Sequence, residues 1–403
     1  MTAHVLAVNA GSSSLKLAVF DIADPTPRAV LRARLETRAK TRRLEVRDGL
    51  GTAIPGPTLR LGRRTSDSTV PRVLDWLEDH LGGPIVAAGH RVVHGGPGFS
   101  GPTPATPETL QALEGLAPLA PLHQAPSLAA VRAVGRARPG LPQVLAFDTA
   151  FHHGHAPVVD RLGLPRAWEA LGLRRYGFHG LSYAYVASRL AELDPNVARG
   201  RVLAAHLGSG ASLCAIRAGR SVDTTMGATP LDGLLMATRC GALDPGVVLY
   251  LQQAHGLSVA AVTDMLYRRS GLLGVSGASA DMRDLLRSPA AAAQAAIELF
   301  VYRVAREAGA LTATLGGLDA LVFTAGVGEN VPEIRAEVCA RLDWLGVSLD
   351  AAANRRGEGK ISAPESRVSV WIIPTDEEQM IARDTRQALA HLLGLTHGEG
   401  RGK

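Results

Sequence analysis

Aromatic residues are scarce in this chain: four tryptophans, six tyrosines and seven phenylalanines among 403 residues, 4% of the total. Its cores must therefore be built from Ala, Leu and Val, which an apolar fraction of 46% supplies. Cysteine is rarer still. Cys214, Cys240 and Cys339 lie far apart without a CxxC spacing, which excludes a disulfide framework and points to reduced thiols in a cytosolic protein. Long apolar runs are also missing, because Glu298, Arg303 or Asp319 interrupts them, so a membrane span is not expected. The N-terminus passes straight into a β-prone run, without the basic and apolar regions of a signal peptide. The formal charge of +6 comes from arginines scattered along the chain. A basic tract interleaved with aromatics, the footprint of nucleic-acid binding, is absent. The expectation is a cytoplasmic protein without nucleic-acid or membrane partners, whose positive surplus suits small anions.

Lysine is the scarcest cation, four among 43 basic residues (Lys16, Lys40, Lys360 and Lys403). Lys16 follows the turn of residues 5–20, VLAVNAGSSSLKLAVF. There an apolar run enters a Gly/Ser turn with Asn9 at its lip, and a second apolar run leaves. The pattern reads as a β-hairpin whose turn offers N–H groups, three hydroxyls and one ammonium to a phosphate. A lone Ser-rich turn is as readily an ordinary hairpin, but this one recurs. Residues 202–216, VLAAHLGSGASLCAI, repeat 5–19 in register with one residue inserted after the turn. Two copies half a chain apart imply two similar domains, each opening on such a hairpin, and the length suits two domains. A cleft between duplicated domains is a natural nucleotide site.

The rest of the chain alternates strands and helices. Strands are expected at 29–37, 43–48, 85–93, 143–147, 320–324 and 368–373. Helices are expected at 70–80, 107–116, 127–138, from 182, at 246–254 and from the cap Ser288-Pro289 to Gly316-Gly317. Residues 60–68 read as a polar connection, 116–127 as a loop and the chain from 394 as a frayed tail. The strand at 85–93 carries Arg91 to its C-terminal end and the strand at 143–147 runs into Asp148, where α/β folds keep their ligands. Residues 151–155, FHHGH, fit no zinc spacing, lacking an i,i+4 pair or a nearby cysteine. Residues 174–180, RRYGFHG, form a second polar cluster, and 325–330, AGVGEN, a tight Gly turn opening a helix. No GxxxxGK[ST] occurs and Gly326-x-Gly328 lacks a third glycine, which excludes a P-loop NTPase and a Rossmann dehydrogenase. Duplicated hairpins, Arg91, Arg239 and Arg283 and a few carboxylates remain, the equipment of phosphoryl transfer.

The motifs NAGSSSLK (9–16), GHRVVHGG (89–96), PLHQ (121–124), FDTAFH (147–152), RYGFHG (175–180), residues 238–245, AGVGEN (325–330) and PTDEE (374–378) resemble the acetate kinase family. They follow the family's order from residue 5 to about 386. The resemblance implies an α/β class and the duplicated two-domain acetate and sugar kinase/Hsp70/actin (ribonuclease H-like) fold. Residues 1–149 plus 375–403 would form the N-terminal domain with a returning C-terminal helix, and 150–374 a C-terminal nucleotide-binding and dimerisation domain. It implies reversible transfer of the ATP γ-phosphate to acetate, giving acetyl phosphate and ADP, with Mg²⁺ or Mn²⁺, in a homodimer. A propionate or other short-chain acyl kinase, or a weakened nucleotide-binding paralogue, is the alternative.

By the same resemblance Asn9 and Glu377 would lie near the metal and Lys16 near the nucleotide phosphates. His206, Leu207, Gly208, Ser209 and Gly210 would form the second phosphate hairpin. Asp281, Met282 and Arg283, with Gly326, Val327, Gly328, Glu329 and Asn330, would hold the adenosine side. Arg91 and Arg239 would clamp the carboxylate and the phosphoryl in flight, and His179 would donate to that phosphoryl. Val93, Leu122, Phe178 and Pro230 would line the acyl pocket. Asp148 is the family's catalytic carboxylate, often described as a base. A short carboxylic acid is already ionised at neutral pH, so Asp148 is expected to position the metal, a water or Arg91 instead. The chain departs from the usual pattern at Ser209 (HLGSG for HLGNG), at Leu181 and Tyr183 (FHGLSY for FHGTSH), and at Ala237 and Ala242, where glycine and aspartate are common.

Overall fold

The computed structural model describes residues 3–11, 14–36, 44–57, 69–357 and 359–392. They divide into two compact units, one from Met1–Ala150 with Asp376–Lys403, the other Phe151–Thr375. The expected connection at 60–68, the tail from 394 and Ser12 and Ser13 of the first turn lie outside the described residues.

The first unit is built on an eight-stranded sheet. Its strands are β1 (His4–Ala10), β2 (Ser14–Asp21), β3 (Arg28–Glu36), β4 (Leu44–Asp48), β5 (Ala53–Ile54), β6 (Ile85–Val92), β7 (Thr103–Pro104) and β8 (Gln143–Phe147), in the order β5-β4-β3-β2-β1-β6-β8-β7. All seven residues of β1 are buried, as a strand covered on both faces requires. It pairs antiparallel with β2, setting Asn9 opposite Lys16, and parallel with β6, setting Val8 beside His90. On one face Leu6, Val8 and Leu17 pack against Val73, Leu74 and Leu77 of the helix Thr69–Leu81 and Val134 of the helix Gln124–Ala137. Each such fully buried side chain contributes about 1.5–3 kcal/mol. The helix Glu377–Leu392 contacts β1, β6 and β8. Its approach is unusually close, since a Cβ on Gly89 would lie 2.0 Å from Thr385 Oγ1 and 2.7 Å from Ile381 Cγ2.

The second unit carries a six-stranded sheet of β9 (Arg201–Leu207), β10 (Ala211–Arg217), β11 (Arg220–Thr224), β12 (Ala320–Thr324), β13 (Gly359–Lys360) and β14 (Ser369–Ile372). Their order is β11-β10-β9-β12-β14-β13. Val202, Ala204, Cys214 and Val322 pack on one face against Tyr183, Val186 and Leu190 of the helix Gly180–Leu193. The 25-residue helix Ala291–Leu315 contacts β9, β10 and β11. The repeat read from the two hairpins extends to topology. In each sheet an antiparallel meander, β3-β2-β1 or β11-β10-β9, is followed by two strands parallel to its last member, β6-β8 or β12-β14.

Three boundaries differ from expectation. The helix after residue 116 begins at Gln124, not 127, because the buried Gln124 amide donates to His94 O and Leu113 O and accepts the His94 N–H, anchoring the helix start. Ser288 does not cap the long helix. It closes the helix Met282–Arg287, and Ala290, without a side-chain cap bond, precedes Ala291–Leu315. Residues 325–330 are not a Gly turn before a helix but the helix Ala325–Asn330 itself, entered through Ala325 at φ 66°. Glu329 Oε1 accepts the Ala325 N–H at 2.7 Å, satisfying a donor at the helix start. Among the described residues no helix is long and apolar enough to cross a membrane.

Because the helix Glu377–Leu392 rests on bare backbone at Gly89, Gly89→Ala is expected to destabilise the protein by about 1–3 kcal/mol through overpacking. Thr385→Ala in the same chain should return part of the loss. Urea unfolding of the single and double variants measures both, and an unchanged midpoint for Gly89→Ala would refute the close approach.

Candidate active site

In the first unit, β1, β6 and β8 end at one level, and their last polar side chains meet. Arg91 donates to Asp148 from Nε at 2.8 Å (Oδ1) and from Nη2 at 2.5 Å (Oδ2), a two-pronged pair. The pair is largely withdrawn from water, Asp148 being 1% and Arg91 14% exposed in their side chains. Burial alone would weaken the Arg91 charge, but Asp148, Glu377 and Glu378 outweigh it and hold the guanidinium protonated. Arg91 Nη1 also donates to Asn9 Oδ1 at 3.3 Å, while Asn9 Nδ2 donates to Glu377 Oε2 at 2.9 Å and Glu378 Oε1 at 2.8 Å. The Asn9 amide thus spans the arginine on one side and two carboxylates on the other. Lys16 Nζ lies 3.8 Å from Glu378 Oε1, Arg32 Nη1 3.8 Å from Glu378 Oε2, and Arg32 also pairs with Asp376.

These oxygens fit a small hard divalent cation. Glu377 and Glu378 stand side by side at a helix start, and Asn9 fixes both from one side. Mg²⁺ is typically held by one or two carboxylates together with substrate phosphates rather than by a full protein cage. Among the described residues no cluster of three or more His, Cys, Asp or Glu forms such a cage. Asn9 turns its oxygen to Arg91, so its bearing on a metal runs through the carboxylates it orients.

In the second unit the candidate residues gather at the turn between β9 and β10. His179 precedes the helix Gly180–Leu193 in a left-handed conformation, φ 59° and ψ 23°, a cost of about 1–3 kcal/mol for a non-glycine residue. Its ring stacks on His206 with centroids 4.1 Å apart. His179 Nδ1 lies 2.8 Å from Ser212 Oγ, which lies 2.6 Å from the Tyr183 hydroxyl, and His206 Nδ1 lies 2.8 Å from Ser182 Oγ. A Cβ on Gly210 would come within 2.7 Å of Arg239 Nη2 and 3.0 Å of His179 Nε2. The two donors therefore converge on the bare face of that glycine. Arg239 is aimed by Nη1 donating to Pro230 O at 2.5 Å. The Gly208 N–H bonds Gly210 O, and Ser209 O accepts the Ala237 N–H at 3.2 Å, joining two positions where the chain departs from the family pattern.

The FHHGH segment supports this turn from beneath. His152 Nε2 lies 2.9 Å from Phe178 O, and a carbonyl only accepts, so this nitrogen carries the proton. Burial pushes the His152 pKa down to about 3 and keeps the ring neutral. Its Nδ1 lies 2.8 Å from Ser221 Oγ, which His155 Nε2 also reaches at 2.8 Å. Gly177, at φ 73°, has no space for a side chain, since a Cβ would meet the His152 ring at 2.6 Å. His152 thus fixes the carbonyl next to His179.

The other candidates divide. Val93 is buried and Leu122 half-buried in the first unit, their segments tied through Gln124 and His94, while Phe178 and Pro230 are buried in the second. Met282 is a core residue, 2% exposed. Asp281 caps the helix Met282–Arg287 and pairs with the exposed Arg283 at 2.6 Å. Glu329 turns inward, its Oε1 accepting from Ala325 N and Thr375 N, while the exposed Asn330 donates from Nδ2 to Gly326 O. The buried Arg335 holds Gly328 O and Glu329 O, and Gly326 and Asn330 are the exposed residues of that helix. Gly208 abuts it, a Cβ there lying 3.5 Å from Ala325 Cβ. Glu378, Ser212 and Tyr183 escaped the sequence reading as site residues. Only the doubled acid of PTDEE and the unusual tyrosine of FHGLSY signalled them.

A model of the acetokinase family matches residues 4–383. An acetate kinase of Rhodopseudomonas palustris is 49% identical over 392 residues, 95% of this chain and 98% of that one. Among solved structures, a propionate kinase from Francisella tularensis superposes with a TM-score of 0.87 at 35% identity, covering 96% of this chain and 99% of that one. An acetate kinase from Porphyromonas gingivalis superposes with a TM-score of 0.82 at 37% identity, covering 96% and 100%. With these neighbours, the two sheets of matching topology are the duplicated ribonuclease H-like α/β fold.

The buried histidines make stability depend on pH. Burial lowers His152 to about 3 and His90 to about 4, both from an ordinary 6.5. Above pH 6.5 their contribution is complete. As the pH falls from 6.5 towards 4 the unfolded chain takes up protons that the folded chain refuses, and stability drops by up to about 1.4 kcal/mol per pH unit for each ring. His152→Gln is expected to reduce that slope. Urea unfolding between pH 7.5 and 5 measures it, and equal slopes in variant and wild type would refute the neutral strut.

Proposed function

The chain belongs to the acetokinase family, and from that premise we propose that it transfers the γ-phosphate of ATP reversibly to acetate, giving acetyl phosphate and ADP. It is a phosphotransferase with a carboxyl acceptor. The observation that carries this reading is the convergence of Arg239 Nη2 and His179 Nε2 on the bare face of Gly210. Phosphoryl transfer spreads charge over three equatorial oxygens, and catalysis consists mostly of donors already aimed at them. A side chain at position 210 would fill that space.

The attacking acid is ionised at neutral pH, so the reaction needs no base. Asp148 has both oxygens engaged by Arg91, which supports a positioning role. It holds the guanidinium flat and charged to grip the acetate carboxylate. Lys16 neutralises nucleotide phosphates beyond the first turn, and in the second unit the β9–β10 turn offers main-chain N–H groups to a phosphate. Glu377 and Glu378, oriented by Asn9, hold Mg²⁺, which when bound neutralises the phosphate oxygens. In the first unit Val93 and Leu122 offer the acid an apolar lining. Residues 1–149 with 375–403 form the N-terminal domain with its returning helix, and residues 150–374 the nucleotide-binding and dimerisation domain, in a cytoplasmic homodimer.

Propionate is the second acid, favoured by the likeness to a solved propionate kinase. One methylene changes discrimination by only about 1–3 kcal/mol, so both acids should react. A hydroxamate assay with ATP, Mg²⁺ and C2–C4 acids tests the reading. Acyl phosphate from acetate is expected, and none from any acid would overturn it in favour of a nucleotide-binding paralogue. Arg239→Lys keeps the charge but loses the fork. It is expected to lower kcat by about 10²–10³-fold with little change in the KM for ATP, and an unchanged kcat would remove Arg239 from the clamp.

A further inference from the structure

We propose that Tyr183 and Ser212 are positioning residues that hold His179 as the neutral tautomer carrying its proton on Nε2, the nitrogen facing Arg239 across Gly210. The assignment follows from placing each proton of a buried chain. Tyr183 is 0% exposed, and burial raises its hydroxyl well above the ordinary value, so it remains a phenol with one proton to donate. A buried hydroxyl without an acceptor costs about 1–3 kcal/mol. The His206 main chain donates to the phenol oxygen, so the phenol's own proton goes to Ser212 Oγ, at 2.6 Å. The rings of His152 and His206 meet the phenol edge-on, at 5.7 and 6.3 Å between centroids.

Ser212 is itself fully buried and has a single proton. Having accepted from Tyr183, it donates to His179 Nδ1 at 2.8 Å. Nδ1 is then an acceptor, and the neutral imidazole keeps its proton on Nε2. The opposite direction, Nδ1–H to Ser212 to Tyr183, would strand the phenol proton. The chain also resists a doubly protonated ring, because Ser212 would then face a donor on each side with its own proton unplaced. The charged and titratable groups facing the ring act in the same sense. Arg239 Nη2 stands across Gly210 and His206 is stacked at 4.1 Å, and neither favours a second positive charge.

The consequence rests on the proposed kinase reading. His179 can donate from Nε2 to a phosphoryl oxygen while uncharged, so its function does not wait on acidification. A phenol suits this relay because it keeps its proton across the working pH range.

Ring-nitrogen spectra from long-range ¹H–¹⁵N correlation test the proposal without substrate. The His179 signals are identified among the 13 histidines by their loss in His179→Gln. Wild type is expected to show the Nε2–H tautomer at pH 7. Tyr183→Phe keeps the ring and removes the donor, and Ser212→Ala breaks the chain. Both should give a mixture of tautomers and lower kcat about tenfold with the KM for ATP unchanged. Ser212→Thr retains the hydroxyl and should retain the wild-type tautomer and rate. A residue that only filled space would alter stability or rate without moving the tautomer. An Nδ1–H tautomer in wild type would overturn the proposal. So would an unchanged tautomer in both Tyr183→Phe and Ser212→Ala. The expected spectra together with no acyl phosphate from any acid would overturn the kinase reading alone.

Discussion

A guanidinium withdrawn from water must have its charge and N–H groups met, and the first unit is arranged around meeting that requirement for Arg91 with the carboxylate of Asp148. Losing one member of such a pair leaves a buried charge alone, at about 3–5 kcal/mol. To meet, the two must end adjacent parallel strands at the same level. The register of β6 with β8 provides this, pairing Val92 with Phe147, and the Asp148 N–H bonds Val92 O. β1 lies on the other side of β6 and brings Asn9 level with Arg91. The helix Glu377–Leu392 then delivers two carboxylates to the Asn9 amide, over a glycine that lets it approach. Strand register, helix approach and charge pairing are here one constraint.

The second unit meets a different demand, the precise aim of hydrogen-bond donors in a dry place. A buried polar network rigidifies its surroundings when every member is satisfied and is costly when one is not. Ser182, Ser212 and Tyr183 meet the histidine rings, while His152 holds the neighbouring carbonyl. These contacts oppose the left-handed strain at His179, and the bare backbone of Gly177 and Gly210 makes room for the rings. An aromatic-poor chain spends several of its few large rings here, where they orient protons as well as fill volume.

Both units use the same topological device: an antiparallel hairpin whose first strand continues into parallel neighbours, so that its turn lies at the strand ends where those neighbours finish. In the first unit the device presents charge, in the second hydrogen-bond donors. The groups of the first suit anions and a small cation, and those of the second an oxyanion.

The amino-acid sequence by itself determined what depends on near neighbours. Alternating apolar runs around Gly/Ser turns specify the two hairpins, their repetition specifies duplicated architecture, and the rarity of lysine singles out Lys16. Arg91 and Asp148 could be set at strand ends because a strand followed by glycine or a polar residue is a local signal. Partners could not be read in this way. Asn9 meets Glu378 across 369 residues and His179 meets Ser212 across 33, contacts that exist only once sheets and helices have closed. The same long reach explains the misplaced boundaries. Gln124 starts its helix early by bonding to His94, 30 residues away, and Glu329 turns inward to its own helix start and to Thr375. Tertiary structure also decided that Asp148 is committed to Arg91 and that FHHGH is a support beneath His179. A side chain's chemistry is written in its residue type, but its proton, charge and direction are set by whichever distant groups the fold brings within hydrogen-bonding distance.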